Sequence, residues 1–117
     1  MDVLIADDDE DILYVVAALL SRRGWNVTST SSGAETIAVL AASSFDVLVL
    51  DQNMPPGSGL EVIRHLRDRG DETPVVLFTG FSATLDSNAS KELGVLVMEK
   101  TDVAALPAKL ATLAGRN

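Results

Sequence analysis

Short runs of apolar residues recur along the chain and predict the strands of one sheet. Four of these runs are almost continuously hydrophobic, as is typical of strands buried on both faces of a parallel sheet. They cover residues 3–6, 45–50, 75–78 and 95–98. A fifth run, residues 25–29, alternates between apolar and polar side chains and indicates a strand at the edge of the sheet.

Segments with helical periodicity lie between and after these runs. Helices are predicted over residues 11–23, 33–42, 60–70 and 85–93, and from about Leu106 onwards, where Pro107 fits a first helical turn. The segment 85–93 is a poor helix because it is rich in Ser, Asp and Asn.

The predicted helices are amphipathic and carry start signals. The first two turn one apolar face to the sheet, formed by Leu13, Val16 and Leu20 in one helix and by Ile37, Leu40 and Ala41 in the other. Two Ser and Glu pairs have capping-box spacing, in which each side chain pairs with an end N–H: Ser32 with Glu35, and Ser58 with Glu61.

The alternation of strand and helix, five times over, determines the predicted fold class. It favours a five-stranded parallel sheet with right-handed crossovers and helices on both faces, an α/β doubly wound (βα)5 domain. No linker or repeat interrupts the pattern, so we expect residues 1–117 to form one domain.

Composition excludes several classes of protein. The chain has 117 residues and no cysteine, which rules out disulfides and thiolate metal sites, and its net charge of −8 argues against direct binding of nucleic acid or an anionic membrane. No apolar run approaches the ~20 residues that span a bilayer, and no signal peptide is apparent. We therefore expect a small acidic module located in the cytoplasm.

Polar residues follow the predicted strands at the edge where such sheets bind ligands. Asp7, Asp8 and Asp9 follow the first strand, Asp51 the third, Thr79 and Gly80 the fourth, and Lys100 the fifth. Since clustered carboxylates repel one another, a divalent cation would relieve the conflict, and an all-oxygen donor set favours Mg²⁺.

A cation shared with a phosphate gives this cluster a chemical interpretation. Asp51 would act as a carboxylate nucleophile that forms an acyl phosphate. Lys100 and the hydroxyl of Thr79 are positioned to hold phosphoryl oxygens, and Gly80 leaves room beside them.

These residues together resemble the receiver domains of two-component response regulators, which are CheY-like. The motifs are the Asp7-Asp8 pair, the run Asp51-Gln52-Asn53-Met54-Pro55 with Gly59 eight residues past Asp51, Thr79, and Lys100. The resemblance spans residues 3–113 and implies a flavodoxin-like fold with strand order 2-1-3-4-5, an order that is a known property of that fold.

The resemblance also implies roles for the residues. Asp51 would be the phosphoacceptor and would bind Mg²⁺ together with Asp8 and the backbone carbonyl of Asn53, with Asp7 in the outer shell. The donor would be a histidine of a sensor histidine kinase or of a His phosphotransfer protein. The domain would then be no enzyme beyond catalysing its own phosphorylation and dephosphorylation.

Output in the family passes through the face formed by the fourth helix, the fifth strand and the fifth helix, to an output domain or a downstream protein. Ile12 and Val15, which lie off the buried face of the first helix, would be available for kinase docking. Homodimerisation, the cognate kinase and the biological output stay open.

The sequence departs from the family pattern on the output side. Val97 stands where an aromatic residue usually switches, Thr101 follows Lys100 where proline usually forms a cis bond, and Glu99 replaces an apolar residue. Because a non-proline cis bond costs ~2.5–4 kcal/mol, the Lys100–Thr101 bond is either trans with a rerouted loop or strained. The alternative function is thus an interaction module that acts without phosphorylation.

Overall fold

The computed structural model describes residues 1–80 and 93–115. In this part of the chain five strands alternate with helices: β1 (Asp2–Ala6), α1 (Glu10–Ser21), β2 (Asn26–Thr30), α2 (Gly33–Ala42), β3 (Val47–Leu50), α3 (Gly59–Asp68), β4 (Val75–Thr79), β5 (Leu96–Glu99), a 3-10 helix (Lys100–Ala105) and a C-terminal helix (Leu106–Leu113). Except for Leu93, the helix predicted over 85–93 lies outside the described residues.

All five strands join one parallel sheet in the order β2-β1-β3-β4-β5, which confirms the predicted topology. The alternating segment is the edge strand β2, as predicted. The register pairs Ala6 with Leu50, Leu50 with Leu77, and Thr79 with Glu99, so the carboxyl ends of β1, β3, β4 and β5 lie along a single edge.

The sheet is covered on both faces by apolar side chains. Successive residues of each strand point to opposite faces, so Val3 and Ile5 belong to one buried cluster while Leu4 and Ala6 belong to the other. This arrangement explains why the inner strands are continuously hydrophobic: each strand needs apolar side chains on both of its faces. Leu20 and Leu110 close one cluster and Leu40 and Leu66 the other, and all four are buried.

Helix starts follow the signals in the sequence. The side chain of Asp9 accepts the N–H groups of Asp11 (2.9 Å) and Ile12 (3.4 Å), so α1 begins at Glu10, one residue before the predicted start. Ser32 accepts the N–H of Glu35 at 3.0 Å. The Glu35 side chain in turn accepts the N–H of Ser31 at 3.0 Å, one residue outside the position expected in a capping box.

The predicted buried face of α2 is partly wrong. Leu40 is buried, but Ala41 is exposed, and Thr36 is fully buried in its place. The hydroxyl of Thr36 lies 2.7 Å from that of Thr30 and donates to the carbonyl of Ser32 at 2.6 Å. Its polar atom is thus satisfied locally, which allows a threonine where the apolar pattern predicted none.

The Lys100–Thr101 bond, for which the sequence left two alternatives, is trans. The Pro55–Pro56 bond is the cis bond among the described residues, so the Lys100–Thr101 bond is trans. Lys100 opens the 3-10 helix, and the C-terminal helix begins at Leu106 with Pro107 in its first turn, as predicted.

Within residues 1–80 and 93–115, no helix is long and apolar enough to cross a membrane.

The start of α2 packs directly on the loop between β3 and α3. The N–H groups of Gly33 and Ala34 donate to the carbonyls of Met54 and Pro56, both at 3.0 Å. A Cβ atom on Gly33 would lie 3.0 Å from the Cα of Gly57, which itself has φ +104°. Because 3.0 Å is closer than most Cβ contacts, a side chain at Gly33 would require the facing loop to shift, and the positive φ of Gly57 favours glycine there.

Candidate functional site

Three carboxylates meet at the carboxyl edge of the sheet, as predicted. Asp7 and Asp8 follow β1 and Asp51 follows β3, and one oxygen from each lies within 4.8 Å of the others. Asp7 is 3% exposed and Asp51 5%, whereas Asp8 faces solvent. Since buried like charges are costly unless something compensates them, this cluster calls for a cationic partner.

Lys100 supplies one such partner from the end of β5. Its Nζ lies 2.7 Å from Oδ2 of Asp7 and 3.3 Å from Oδ2 of Asp51. Burial by itself would lower the pKa of the Lys100 ammonium, but its hydrogen bonds to Asp7 and Asp51 and their charges outweigh burial and raise the pKa above its usual value. The amine is therefore held in its charged form at the site.

The carboxyl group of Asp51 remains electrostatically strained. Its burial, followed by the negative charge of Asp7, raises the pKa of Asp51, while Lys100 and the N–H of Gln52 offset only part of that rise. A single ammonium shared between two buried carboxylates leaves a net negative charge. A divalent cation bound here would relieve the repulsion between the carboxylates.

The donor set fits a hard divalent cation. The atoms that converge are carboxylate oxygens, and Asn53, in the loop after Asp51, lines the open space beside that residue. The chain has no cysteine, and its one histidine, His65, is exposed on α3. A site built from oxygen donors alone, without imidazole or thiolate, favours Mg²⁺ over Zn²⁺.

The other predicted residues surround an open cleft of about 490 Å³ beside Asp51. Its lining includes Asn53, Thr79, Gly80 and Lys100, so residues from the ends of β3, β4 and β5 come together. Thr79 is buried at 7% exposure, while Gly80 is exposed and a Cβ there would meet no atom of the described residues within 4 Å. Contacts within residues 1–80 and 93–115 therefore do not demand a glycine at position 80.

The loop that follows Asp51 is fixed by α3. The N–H of Gln52 donates to Oδ1 of Asp51 at 2.9 Å, and the Gln52 side chain accepts the N–H of Leu60 at 2.9 Å. A Cβ on Gly59 would lie 2.5 Å from the carbonyl oxygen of Asp51, so the helix start presses on the end of β3. The sequence pattern pointed to Gly59 but gave no role to Gln52, whose partners in α3 lie seven and eight residues away.

The predicted docking residues differ in their surroundings. Val15 is 46% exposed on α1, but Ile12 is partly buried and packs against the core. Tyr14, which the sequence analysis missed, is 79% exposed. Tyr14 and Val15 line a shallow groove of about 390 Å³ that runs between α1 and the 3-10 helix, where Val103 lies. The sequence signal that could have identified Tyr14 was an aromatic residue at a helix position outside the predicted buried face.

On the output side, Val97 is partly buried. It lies in β5 opposite Leu77 of β4 and packs against the apolar cluster on the α2 and α3 face of the sheet. Glu99, one residue before Lys100, is exposed.

Comparison with known proteins identifies the family. A family profile described as the response regulator receiver domain matches residues 3–102. The probable transcriptional regulatory protein TcrX of Mycobacterium tuberculosis is 36% identical over 92 residues, which are 79% of this chain and 39% of TcrX. The chain spans about two fifths of the length of the curated relatives it matches.

Solved structures agree with this fold. A CheY-like receiver domain from Methylobacillus flagellatus has a TM-score of 0.84 at 26% identity, with 97% of this chain and 98% of that one covered. The response regulator TrrA of Thermotoga maritima, solved in complex with Mg²⁺–BeF, has a TM-score of 0.85 at 24% identity, with 96% and 97% covered. The chain belongs to the response regulator receiver domain family of two-component systems.

Proposed function

We propose that this domain accepts a phosphoryl group on Asp51 from a phosphohistidine, with Mg²⁺ bound beside it. The observation that carries the proposal is the position of Asp51, a buried carboxylate with a raised pKa that borders an open cleft and lies 3.3 Å from the Lys100 ammonium. A structural carboxylate would be expected to have its charge neutralised, whereas this one retains unrelieved negative charge next to open space.

Mg²⁺ would be held by Asp8, Asp51 and the backbone carbonyl of Asn53, with Asp7 in the outer shell through water. The related protein TrrA was solved in complex with Mg²⁺–BeF, and the donor atoms in this chain suit the same cation. When bound, the cation supplies positive charge that offsets the charge on the phosphoryl oxygens.

The proposed reaction is a direct displacement at phosphorus. A carboxylate oxygen of Asp51 bonds to the phosphorus as the bond to the imidazole nitrogen of the donor breaks, and the imidazole leaves with the electron pair and takes up a proton. The Lys100 ammonium then moves from Asp51 to a phosphoryl oxygen, and the Thr79 hydroxyl donates to another. Gly80 leaves room on the same side.

A test of this function needs only a small phosphodonor. Incubation with acetyl phosphate and Mg²⁺ is expected to add the mass of one phosphoryl group, as an acyl phosphate that hydroxylamine removes. Chelation of Mg²⁺ is expected to prevent the adduct because the carboxylate cluster then repels the anionic donor. Intact-protein mass spectrometry gives the readout.

The controls separate chemistry from folding. Circular dichroism should show an unchanged fold after chelation, so that a missing adduct reports on the reaction alone. Failure of the folded, Mg²⁺-bound domain to form an adduct would contradict the proposal and would favour the alternative, an interaction module that acts without phosphorylation.

The groove between α1 and the 3-10 helix is where we place the docking of a histidine kinase or His phosphotransfer protein. Val15→Asp is expected to slow phosphotransfer from a phosphorylated kinase roughly tenfold, because a charge replaces an exposed apolar contact. Phosphorylation by acetyl phosphate is expected to stay within about twofold, since Val15 does not border the cleft.

Ala38→Asp provides the matched control, because Ala38 is exposed on α2 on the opposite side of the sheet. Transfer from the kinase to this variant should equal that of the original chain. Equal slowing of both donors by Val15→Asp would contradict the docking assignment, as it would show damage to the site itself.

Output is proposed to run through β5 and the neighbouring helices to an output domain or a downstream protein. Val97 is partly buried and has no ring that could fill space vacated by Thr79, so the usual aromatic switch is absent from this position. We infer that phosphorylation chemistry is retained while its readout differs from the family pattern. Residues 1–117 are proposed as a single domain, acting in the cytoplasm.

A further inference from the structure

Gln52 links the carboxylate of Asp51 to the start of α3. It contributes three hydrogen bonds: its main-chain N–H donates to Oδ1 of Asp51 at 2.9 Å, its carbonyl accepts the N–H of Gly59 at 3.0 Å, and its side-chain Oε1 accepts the N–H of Leu60 at 2.9 Å. Gln52 is half-buried and borders the cleft beside Asp51.

The bonds to α3 satisfy groups that a helix leaves without partners. The first N–H groups of a helix have no acceptor within the helix itself. In α3, Gln52 accepts two of them, from Gly59 and Leu60, and the hydroxyl of Ser58 accepts a third, from Glu61, at 3.2 Å. The α3 N-terminus therefore holds both the main chain and the side chain of Gln52.

The bond to Asp51 transfers this constraint to the carboxylate. Oδ2 of Asp51 pairs with Lys100, and Oδ1 pairs with the N–H of Gln52. Because the Lys100 ammonium also pairs with Asp7 and ends a flexible stem, it fixes the plane of the carboxylate poorly. The peptide N–H of Gln52 is the rigid partner, and its direction depends on how α3 holds the Gln52 residue.

The identity of the side chain suits this task. Only an acceptor can face the N–H of Leu60, so the amide turns its oxygen to α3 and its NH₂ end away from it. A glutamate would accept the same N–H but would add a fourth negative charge near Asp7, Asp8 and Asp51. A neutral amide caps the helix without increasing that repulsion.

We propose that Gln52 is a positioning residue for phosphoryl transfer: its side-chain amide fixes the Gln52 peptide against α3 and thereby orients the Asp51 carboxylate toward the incoming phosphorus. This inference rests on the proposed function of Asp51 and adds a residue to it. Orientation of a nucleophile affects the maximal rate more than the binding of its partner.

The test compares Gln52→Met, which keeps the length of the side chain and removes the acceptor, with Ser58→Ala, which removes the other side-chain acceptor from the same helix end. Both are expected to lower the melting temperature by a few degrees, at roughly equal cost. The Gln52→Met variant is expected to lower the maximal rate of adduct formation with acetyl phosphate roughly tenfold.

The remaining readouts separate positioning from a general structural effect. For Gln52→Met, half-saturation by acetyl phosphate and Mg²⁺ affinity are expected to change less than about twofold. Ser58→Ala should retain the original maximal rate. Gln52→Asn, a milder variant whose amide is too short to reach Leu60 in the same geometry, should lower the rate in the same direction.

Two results would overturn the inference while leaving the proposed function intact: a full maximal rate in folded Gln52→Met or Gln52→Asn, or an equal loss of rate in Ser58→Ala. Absence of any adduct in the original chain would instead refute the proposed function. Hydrogen exchange of the Leu60 amide gives a check that needs no phosphorylation, since Gln52→Met should expose that N–H whereas Ser58→Ala should not.

Discussion

Replacing Asp51 by asparagine is expected to abolish the phospho-adduct and, without divalent cations, to make the folded domain more stable by about 1 kcal/mol at pH 7. The amide has nearly the same shape but carries no charge. It therefore removes both the burial penalty and the repulsion from Asp7, which together raise the pKa of Asp51. Urea unfolding in the presence of EDTA measures the stability difference.

The pH dependence of this difference follows from the direction of the pKa shift. The pKa of Asp51 is raised in the folded state, so the native protein binds its proton more tightly than the unfolded chain does. Stability contributed by this group is therefore lost as the pH rises from the unfolded pKa of 3.8 through the folded pKa. The advantage of Asp51→Asn should vanish below the unfolded value and should grow as the pH rises through the folded pKa.

Magnesium reverses the comparison. A cation at a hundred times its dissociation constant stabilises the folded state by about 2.7 kcal/mol, and only the chain that retains Asp51 gains this in full. Asp102→Asn, which changes an exposed carboxylate, is the control and should shift stability by no more than about 0.5 kcal/mol. A less stable Asp51→Asn in EDTA would contradict the electrostatic account of the site.

Replacing Gly59 by alanine is expected to destabilise the domain by about 2–3 kcal/mol. The new Cβ would lie 2.5 Å from the carbonyl oxygen of Asp51 and 2.8 Å from Cδ2 of Leu77. The side chain of Leu77 can rotate, but the carbonyl belongs to the end of β3, so either the strand or α3 must shift. Adduct formation should fall as well, because Asp51 is displaced with its own peptide.

The sign of this effect is diagnostic. Glycine to alanine within an unobstructed helix normally stabilises by roughly 0.5–1 kcal/mol, since alanine loses less backbone entropy. Gly80→Ala serves as the stability control, because a Cβ there meets no atom within 4 Å in the part of the chain that the structure describes. Thermal unfolding of both variants checks the prediction, and a Gly59→Ala variant as stable as the original chain would show that α3 can move away from β3 at no cost.

Much of the fold could be predicted because its inner strands β1, β3 and β4 are buried on both faces. Nearly continuous apolar runs marked these strands and β5, which lies at one edge of the sheet and is only partly buried, and alternation marked β2 at the other edge. The site could be predicted for a related reason, since polar residues directly after such strands must meet at one edge of a parallel sheet. Asp51 and Lys100 are far apart along the chain, yet topology alone brings them together.

The predictions that failed depend on contacts that periodicity does not encode. Thr36 is buried in place of Ala41 because its hydroxyl finds partners in Thr30 and Ser32, a matter of local geometry. The role of Gln52 depends on the angle at which α3 meets β3. The conformation of the Lys100–Thr101 bond, which is trans, could not be chosen from the sequence. The energetic cost of a cis bond is known, but the path of the loop that would decide between the two forms is not.

The close approach of Gly33 and Gly57 limits how this domain can be recombined with its relatives. Because α2 donates its first N–H groups to the carbonyls of Met54 and Pro56, a chimaera that imports the 52–58 segment from another receiver also imports the surface onto which α2 must fit. Such a graft is expected to be more stable when residues 31–34 are transplanted with it, and thermal unfolding of the two chimaeras would measure the difference. Residues 31–34 and 52–58 should therefore be exchanged together when receiver domains are recombined.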